Sequence, residues 1–580
     1  MNGHMEEFVT YTSATLFVGI ISPTEHLSEE LQEIVQSLPR SIRKKVVETT
    51  MAGSTSLVKA CAIGNLKIIE YLVKICGADI EQKSTCPRRS KFNPNSYTPL
   101  SWACRYGNFH VLECLIQLGA DINGVSDCGS TPLLIACQRR NVEIVKYLVL
   151  KGADVRKAKN DGETCFFAWL KSCSLDPNNQ DVEMIQLLLK HGADPLVSYN
   201  GEDSLRFLCR NSNFRVALCL MNFFDYSPER KADTYELMGA IIYFRHYKRL
   251  LAIQCWRKGL NIRMNAGNYI AKRPENPPQS IYGDAREFTT IAELEAMTYD
   301  LDAIGIQSLM ICERILGIDD NETLSHMTRF GYFYQKTQRT DKSMDLYLKV
   351  LQRQVQKNSI FNCNSLGTTN RIVGFMLDLL HAEDPTLPRF EDAWTVLQLL
   401  ASNAIKTSEL DSIKHQCCTI DRIIHYLAYL LDILLSVAKS ENELEMIEKL
   451  VRKLIYKDVR CAKTGETLLH LSVKRDGFEH RVQGLGFKHV FRNGNFSKLL
   501  LACGAHIDSP NLAGVRPSEL LVKNLQNDIP VNKFITLKCL CANTIIKKGI
   551  SYQGMVSRTM EAFVREHEWQ RAEHVSTKET

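Results

Sequence analysis

The feature that most limits what this chain can fold into is an internal repeat. The triplet Gly-Ala-Asp returns at Gly77, Gly119, Gly152 and Gly192. Each copy closes a block of about 27 residues of one pattern. The blocks include "GSTSLVKACAIGNLKIIEYLVKICGADI" from Gly53, "SYTPLSWACRYGNFHVLECLIQLGADI" from Ser96 and "GSTPLLIACQRRNVEIVKYLVLKGADV" from Gly129. A degraded copy runs from Gly162, "GETCFFAWLKSC", to "VEMIQLLLKHGADP" at Pro195. Each block reads as two short helices. Thr131 caps the first, with Pro132 at its first position, where the missing N–H costs nothing. Small Ala136 and Cys137 admit a neighbouring helix. Val142, Ile144, Val145, Leu148 and Val149 form the apolar stripe of the second helix, and Gly152 supplies the left-handed turn that ends it. One such unit cannot bury its own apolar face, so the copies must stack into a solenoid.

Gly119 and Gly152 lie 33 residues apart, the ankyrin period; the flanking intervals of 42 and 40 are that period with insertions. One insertion, residues 81–96, is polar, holds two prolines and reads as an enlarged hairpin tip on the binding edge. An imperfect unit is expected before residue 53 and a fifth after Asn200, "NGEDSLRFLCRNSNFRVALCLMNF". From Lys231 the pattern changes to a helical pair with small residues at Gly239 and Ala240. Glu322 to Gln354 comes next, where the Gly331–Tyr334 spacing and Tyr347 resemble a tetratricopeptide unit. Ankyrin-like sequence returns at "GETLLHLSVKRDG" from Gly465 and "FSKLLLACGAHIDSPNLAG" from Phe496, split by an insertion. His470 stands where such repeats place a histidine that bonds the neighbouring hairpin.

Composition excludes several classes. Net charge is +6, from 71 basic and 65 acidic residues, too diffuse a surplus for a nucleic-acid footprint. No run of about twenty apolar residues is present, so a membrane span is not expected, and acids precede the apolar run "ATLFVGII" where a leader would be basic. This places the expectation in the cytoplasm, with the nucleus admitted. The 20 cysteines have no zinc-finger or framework spacing and read as buried thiols. No phosphate loop, dinucleotide fingerprint or HExxH is present, so neither catalysis nor a cofactor or metal is expected.

The order of these parts resembles the Fem family: ankyrin repeats, then "YELMGAIIYFR…AIQCWRKGLNIR", then "AELEAMTYDLDAIGIQSLMICERILGIDDNETLSHMTRFGYFY", then more ankyrin sequence. Its most specific piece is "ICERILG", Ile311–Gly317. Fem proteins, homologues of a nematode sex-determination protein, serve as substrate receptors of cullin-2 ubiquitin ligases. The resemblance therefore implies a non-catalytic receptor. It would bind C-terminal tails of target proteins in its N-terminal array and promote their ubiquitination and proteasomal degradation, with elongin C (and elongin B) and cullin-2 as partners and a homodimer admitted. The whole reading is all-α: an imperfect unit over 1–52, ankyrin repeats over 53–230, a tetratricopeptide-like region over 231–460, a second ankyrin block over 461–530, an elongin/cullin-2 box over 531–570 and a disordered tail over 571–580. The alternative is an ankyrin scaffold that has lost its ligase coupling.

The resemblance also assigns residues. In "TLKCLCANTI", Leu537, Leu540, Cys541 and Ile545 share one helix face and match the family's adaptor box. In "ISYQGMVSRTMEAFVREH", Val556, Met560 and Phe563 match the cullin-selecting segment, although Ser557 stands where the family carries proline. Family members hold a substrate's terminal arginine with two acids. Here Arg139 falls at one of those places, and Arg88, Arg89 or Ser90 near the other. Arginines repel an arginine but grip a carboxylate through paired hydrogen bonds. The expected contacts are Trp102, Arg105 and Tyr106 from one inner helix and Gln138, Arg139 and Arg140 from the next, with Trp169 as an apolar wall; the expected ligand is an acidic side chain or a terminal carboxylate.

Overall fold

The computed structural model describes residues 2–21, 27–51, 53–85, 96–173, 179–264, 269–273, 280–358, 360–382, 387–408, 417–473, 495–523, 545, 551 and 561. The chain is all-α. Among the described residues β-structure is confined to isolated bridges such as Ser84–Tyr97 and Tyr199–Glu202. Two compact units are present, one of residues 1–277 and 285–316, the other of residues 278–284 and 317–580.

The first unit starts with helix Asn2–Ile21 and the pair Glu29–Ser37 and Arg40–Glu48. Five helical pairs of the repeat come next. Their inner helices are Ser56–Ile63, Pro99–Tyr106, Pro132–Gln138, Cys165–Ser172 and Ser204–Arg210. Each inner helix is started by a side-chain oxygen three residues ahead of the amide that it accepts from. Thr55, Thr98, Thr131 and Thr164 do this at 3.1–3.3 Å, and Asp203 replaces threonine in the fifth unit at 3.0 Å. Such a cap contributes about 1 kcal/mol.

The aspartate of each Gly-Ala-Asp triplet folds the hairpin after it. Asp79, Asp121, Asp154 and Asp194 each accept the amide two residues on, at 2.8–2.9 Å. The 81–96 insertion is closed at its base by two hydrogen bonds of 3.0 Å between Ser84 and Tyr97; residues 86–95 lie outside the described set. Ala60, Cys61, Ala103, Cys104, Ala136 and Cys137 are fully buried where inner helices meet. Among the described residues the cysteines are free thiols, and burial pushes those of Cys61, Cys104 and Cys137 above the ordinary thiol range.

The change of pattern at Lys231 suggests that the helical pair Pro228–His246 and Arg249–Met264 opens the tetratricopeptide-like region, but the pair packs as part of the first unit. Two contacts explain the pairing. A Cβ on Gly239 would lie 2.4 Å from Nε1 of Trp256, so only glycine admits the indole. That Nε1 donates to the Glu236 carbonyl at 2.9 Å. Behind it lies a compensated ion cluster. Arg263 pairs with Glu236 at 2.8 Å and with Asp233 at 2.5 Å; Arg314 pairs with Asp233 at 2.6 Å and with Glu287 at 2.9 Å; Lys272 pairs with Glu287 at 3.2 Å. Arg314 is the arginine of "ICERILG". Its role here is to join helix Leu301–Leu316 to helix Pro228–His246, through Asp233 and Glu236, and to Glu287.

The second unit holds helices Asn321–Lys336 and Thr340–Asn358, then Cys363–His381, Phe390–Ser408, Cys417–Val437 and Glu441–Tyr456. The first two form a hairpin in which a Cβ on Gly331 would lie 2.8 Å from Cε1 of Tyr347 and Ser343 donates to the Gly331 carbonyl at 2.8 Å. Leu468–Val473 and Asn495–Ala502 form the last helical pair before Pro517–Lys523. His470 accepts from the Thr467 amide through Nδ1 at 3.2 Å, and its Nε2 lies 3.0 Å from the Val515 carbonyl, tying the helix to the next hairpin. No helix among the described residues is long and apolar enough to cross a membrane.

Candidate binding surface of the ankyrin array

In the second, fourth and fifth units the position seven residues after the cap meets the residue just before that cap. In the second unit Arg105 lies 5.5 Å over the Tyr97 ring and 5.6 Å over the Trp102 ring. In the fourth, Lys171 bonds Glu163 at 2.8 Å, and in the fifth Arg210 forms an ion pair with Glu202 at 3.2 Å. In the third, Gln138 reaches forward to Glu163 at 3.1 Å. Glu163 also takes Lys159 at 3.2 Å. Burial alone would depress the Lys159 ammonium, but Asp161 and Glu163 more than offset it and hold it above the ordinary lysine value. The result is a row of Arg105, Gln138, Lys171 and Arg210. Of its three cations, Arg105 is the one whose described partners are rings and not a carboxylate.

The seven expected contacts therefore divide. Arg105 is half-buried, and Tyr106, Gln138 and Arg139 are exposed, on the inner helices. Tyr106 stacks on Trp102 with ring centroids 5.5 Å apart. Trp102 is a core residue, 1% exposed, and its Nε1 donates to the Ser84 carbonyl at 3.2 Å. The indole anchors the base of the insertion and presents no wall to a ligand. Trp169 is also 1% exposed. Counting from the caps, it stands at the register of Ala103 and Ala136, the deepest place in each unit, which is why it is sealed. Arg140 is a strut between units. Its guanidinium donates to the Ser172 carbonyl at 2.6 Å and to Asp181 at 2.5 Å, and lies 5.6 Å over the Trp169 ring. It occupies the turn position held by Gly64 and Gly107 in the preceding units and has a positive φ of 57°, a conformation that costs a branched or long side chain about 1 kcal/mol. These three residues are accordingly removed from the contact set. Arg88, Arg89 and Ser90 lie outside the described residues, as do Leu537, Leu540, Cys541, Val556, Met560 and Phe563. Ile545 is described, helical and half-buried.

Sequence reasoning missed a cavity of about 540 Å³ at the end of the array. Its walls come from the hairpin around Leu196–Gly201, inner helix Ser204–Arg210, helix Pro228–His246 and Ile315. The signal available in the sequence was the aspartate that replaces threonine at the fifth cap.

Stacked two-helix units with capped inner helices and aspartate-led hairpins define an ankyrin-repeat protein, a class that binds other proteins. The family model for ankyrin repeats (3 copies) matches residues 27–126, 57–159 and 100–199. The chain is 26% identical to protein fem-1 homolog A of Homo sapiens, over 59% of this chain and 56% of that protein, and 25% identical to protein fem-1 homolog C of Bos taurus, over 59% and 61%. It thus spans a little over half the length of these relatives. Similarity to protein fem-1 homolog A-like of Mus musculus, at 24% identity, covers 93% of this chain and 97% of that one. The chain carries ankyrin repeats, and beyond them it is similar to Fem proteins over nearly its whole length.

Proposed function

We propose that this protein is the substrate-recognition subunit of an elongin–cullin-2 ubiquitin ligase, and that its ankyrin array takes the C-terminal tail of a target. The observation that carries the tail reading is Arg105. It is held over two rings, has no carboxylate partner among the described residues, and stands beside exposed Tyr106, Gln138 and Arg139. A guanidinium fixed on aromatic faces keeps its N–H edge for a planar anion, so the tail contributes a carboxylate. Ligase coupling rests on the resemblance and on the spacing of Leu537, Cys541 and Ile545. Turnover of the target comes from effective concentration once a neighbouring subunit brings the ubiquitin-loaded enzyme.

The test is retention of elongin C and cullin-2 by wild-type protein and by Leu537→Asp. Retention by wild type with loss in the variant is expected. Retention by neither favours an uncoupled ankyrin scaffold. A peptide array sets tails ending in arginine against tails carrying acidic residues. Acidic tails are expected to bind and to weaken with Arg105→Ala, whereas selection of arginine tails would end the carboxylate reading.

A further inference from the structure

The cavity beyond Gly201 is remote in sequence from Arg105 and has a charge arrangement of its own. Asp203 uses both carboxylate oxygens. Oδ1 caps inner helix Ser204–Arg210 at 3.0 Å. Oδ2 holds two guanidiniums at once, Arg230 at 2.9 Å and Arg206 at 3.4 Å. One negative charge thus faces two positive ones, and each arginine has further N–H donors beyond the single bond that it gives to Asp203. Across the cavity, Asp233 is already neutralised from behind by Arg263 and Arg314. Glu229 adds one acid at the half-buried rim, and Leu237 supplies apolar wall.

We propose that this cavity is a second recognition site and takes the side-chain carboxylate of an aspartate or glutamate in a bound protein segment, between Arg206 and Arg230. The inference rests on the peptide-receptor reading above and extends it from the terminus of the target to an acidic residue within it. The volume suits a few residues of peptide. The charge of the ligand is set by the walls: three acids line the cavity, so a singly charged carboxylate is accepted where a phosphate of nearly two charges is opposed by Glu229 and Asp203.

The test uses full-length protein and an array of random 12-residue peptides. Each aspartate- or glutamate-containing peptide that is retained is compared with its asparagine or glutamine counterpart and with a phosphoserine counterpart. The expected result is a loss of about tenfold or more on changing the acid to its amide, the same loss for Arg206→Ala and for Arg230→Ala, and tighter binding by Glu229→Gln. The gain in Glu229→Gln cannot come from misfolding. Retained peptides that are indifferent to Arg206→Ala and Arg230→Ala but sensitive to Arg105→Ala, or that bind better as phosphoserine, overturn this inference and leave the receptor reading standing. Retention of no peptide by the wild type overturns both.

Discussion

The guanidinium of Arg140 and the carboxylate of Asp181 meet at 2.5 Å across the boundary between two repeats, with Asp181 fully buried and Arg140 about one third exposed. Arg140 sits at a turn position that glycine fills in two earlier units, so its backbone is strained and its side chain offsets that strain. Arg140→Gly relieves the turn but takes this guanidinium away from a buried carboxylate. We expect a net loss of about 2 kcal/mol, reduced from the cost of a fully buried pair because solvent reaches the arginine. In a double-mutant cycle by urea denaturation, Asp181→Asn is expected to recover part of this loss in the Arg140→Gly background. Strict additivity would show that the two residues do not act as a pair.

A second expectation concerns Gly239. An alanine methyl there would overlap the Trp256 indole at 2.4 Å and the Ala252 carbonyl at 2.8 Å. The backbone atom cannot yield as a side chain can, so Gly239→Ala should cost about 1–3 kcal/mol and alter the near-ultraviolet signal of Trp256. Unchanged stability and spectrum would contradict the close packing of this helical pair.

The ion cluster gives a pH prediction. Burial pushes the Glu236 carboxyl up, but Lys272, Arg314 and Arg263 more than offset it and hold it below its ordinary value of 4.5. Folding therefore favours the charged form. The contribution of Glu236 is complete above that ordinary value and is lost as the pH falls through the lower folded value. Glu236→Gln, which leaves buried arginines short of charge, is expected to cost about 3–5 kcal/mol at pH 7. Its difference in Tm from wild type should narrow progressively as the pH falls below 4.5; a difference independent of pH would refute the assignment.

Thiol labelling supplies a fourth check. Burial raises the Cys128 thiol, but the hydroxyls of Ser126 and Ser130 and the Lys159 ammonium outweigh it, so its pKa falls below the ordinary 9.0. Burial instead raises Cys76 to about 11. In native protein, Cys128 is expected to react with a maleimide at a lower pH than free cysteine in the same buffer, and Cys76 is expected to resist. A Cys128 profile that coincides with that of free cysteine would argue against the hydroxyl cradle.

Much of the fold was legible because repeats write local rules many times. Thr131 and Pro132 announce a helix start, Gly152 a helix end, and Ala136 and Cys137 a close approach, and each does this in the structure. Gly239 and His470 were readable for the same reason, since a small or bonding residue at a fixed register has one job. The site was less legible. The motif puts Gln138, Arg139 and Arg140 together at the end of one inner helix, but the backbone turns left-handed at Arg140 and sends that side chain into the next unit. The clue was present in "CQRRN", which replaces the glycine of "CRYGN". Trp169 looked like a wall because it is aromatic, yet its register from the cap is that of buried alanines. The cavity needed residues from both sides of Lys231, where the change in sequence pattern suggested a boundary that the packing of Trp256 and Arg314 does not respect.

The cap of the fifth unit shows how tightly architecture and recognition are interlocked. Where threonine would only begin a helix, Asp203 begins the helix and also gathers Arg206 and Arg230. Losing this acid would fray the repeat and scatter the arginines together. Retuning what the cavity prefers is thus left to the side chains at 206, 229 and 230, which can change while Asp203 still accepts the amide of residue 206.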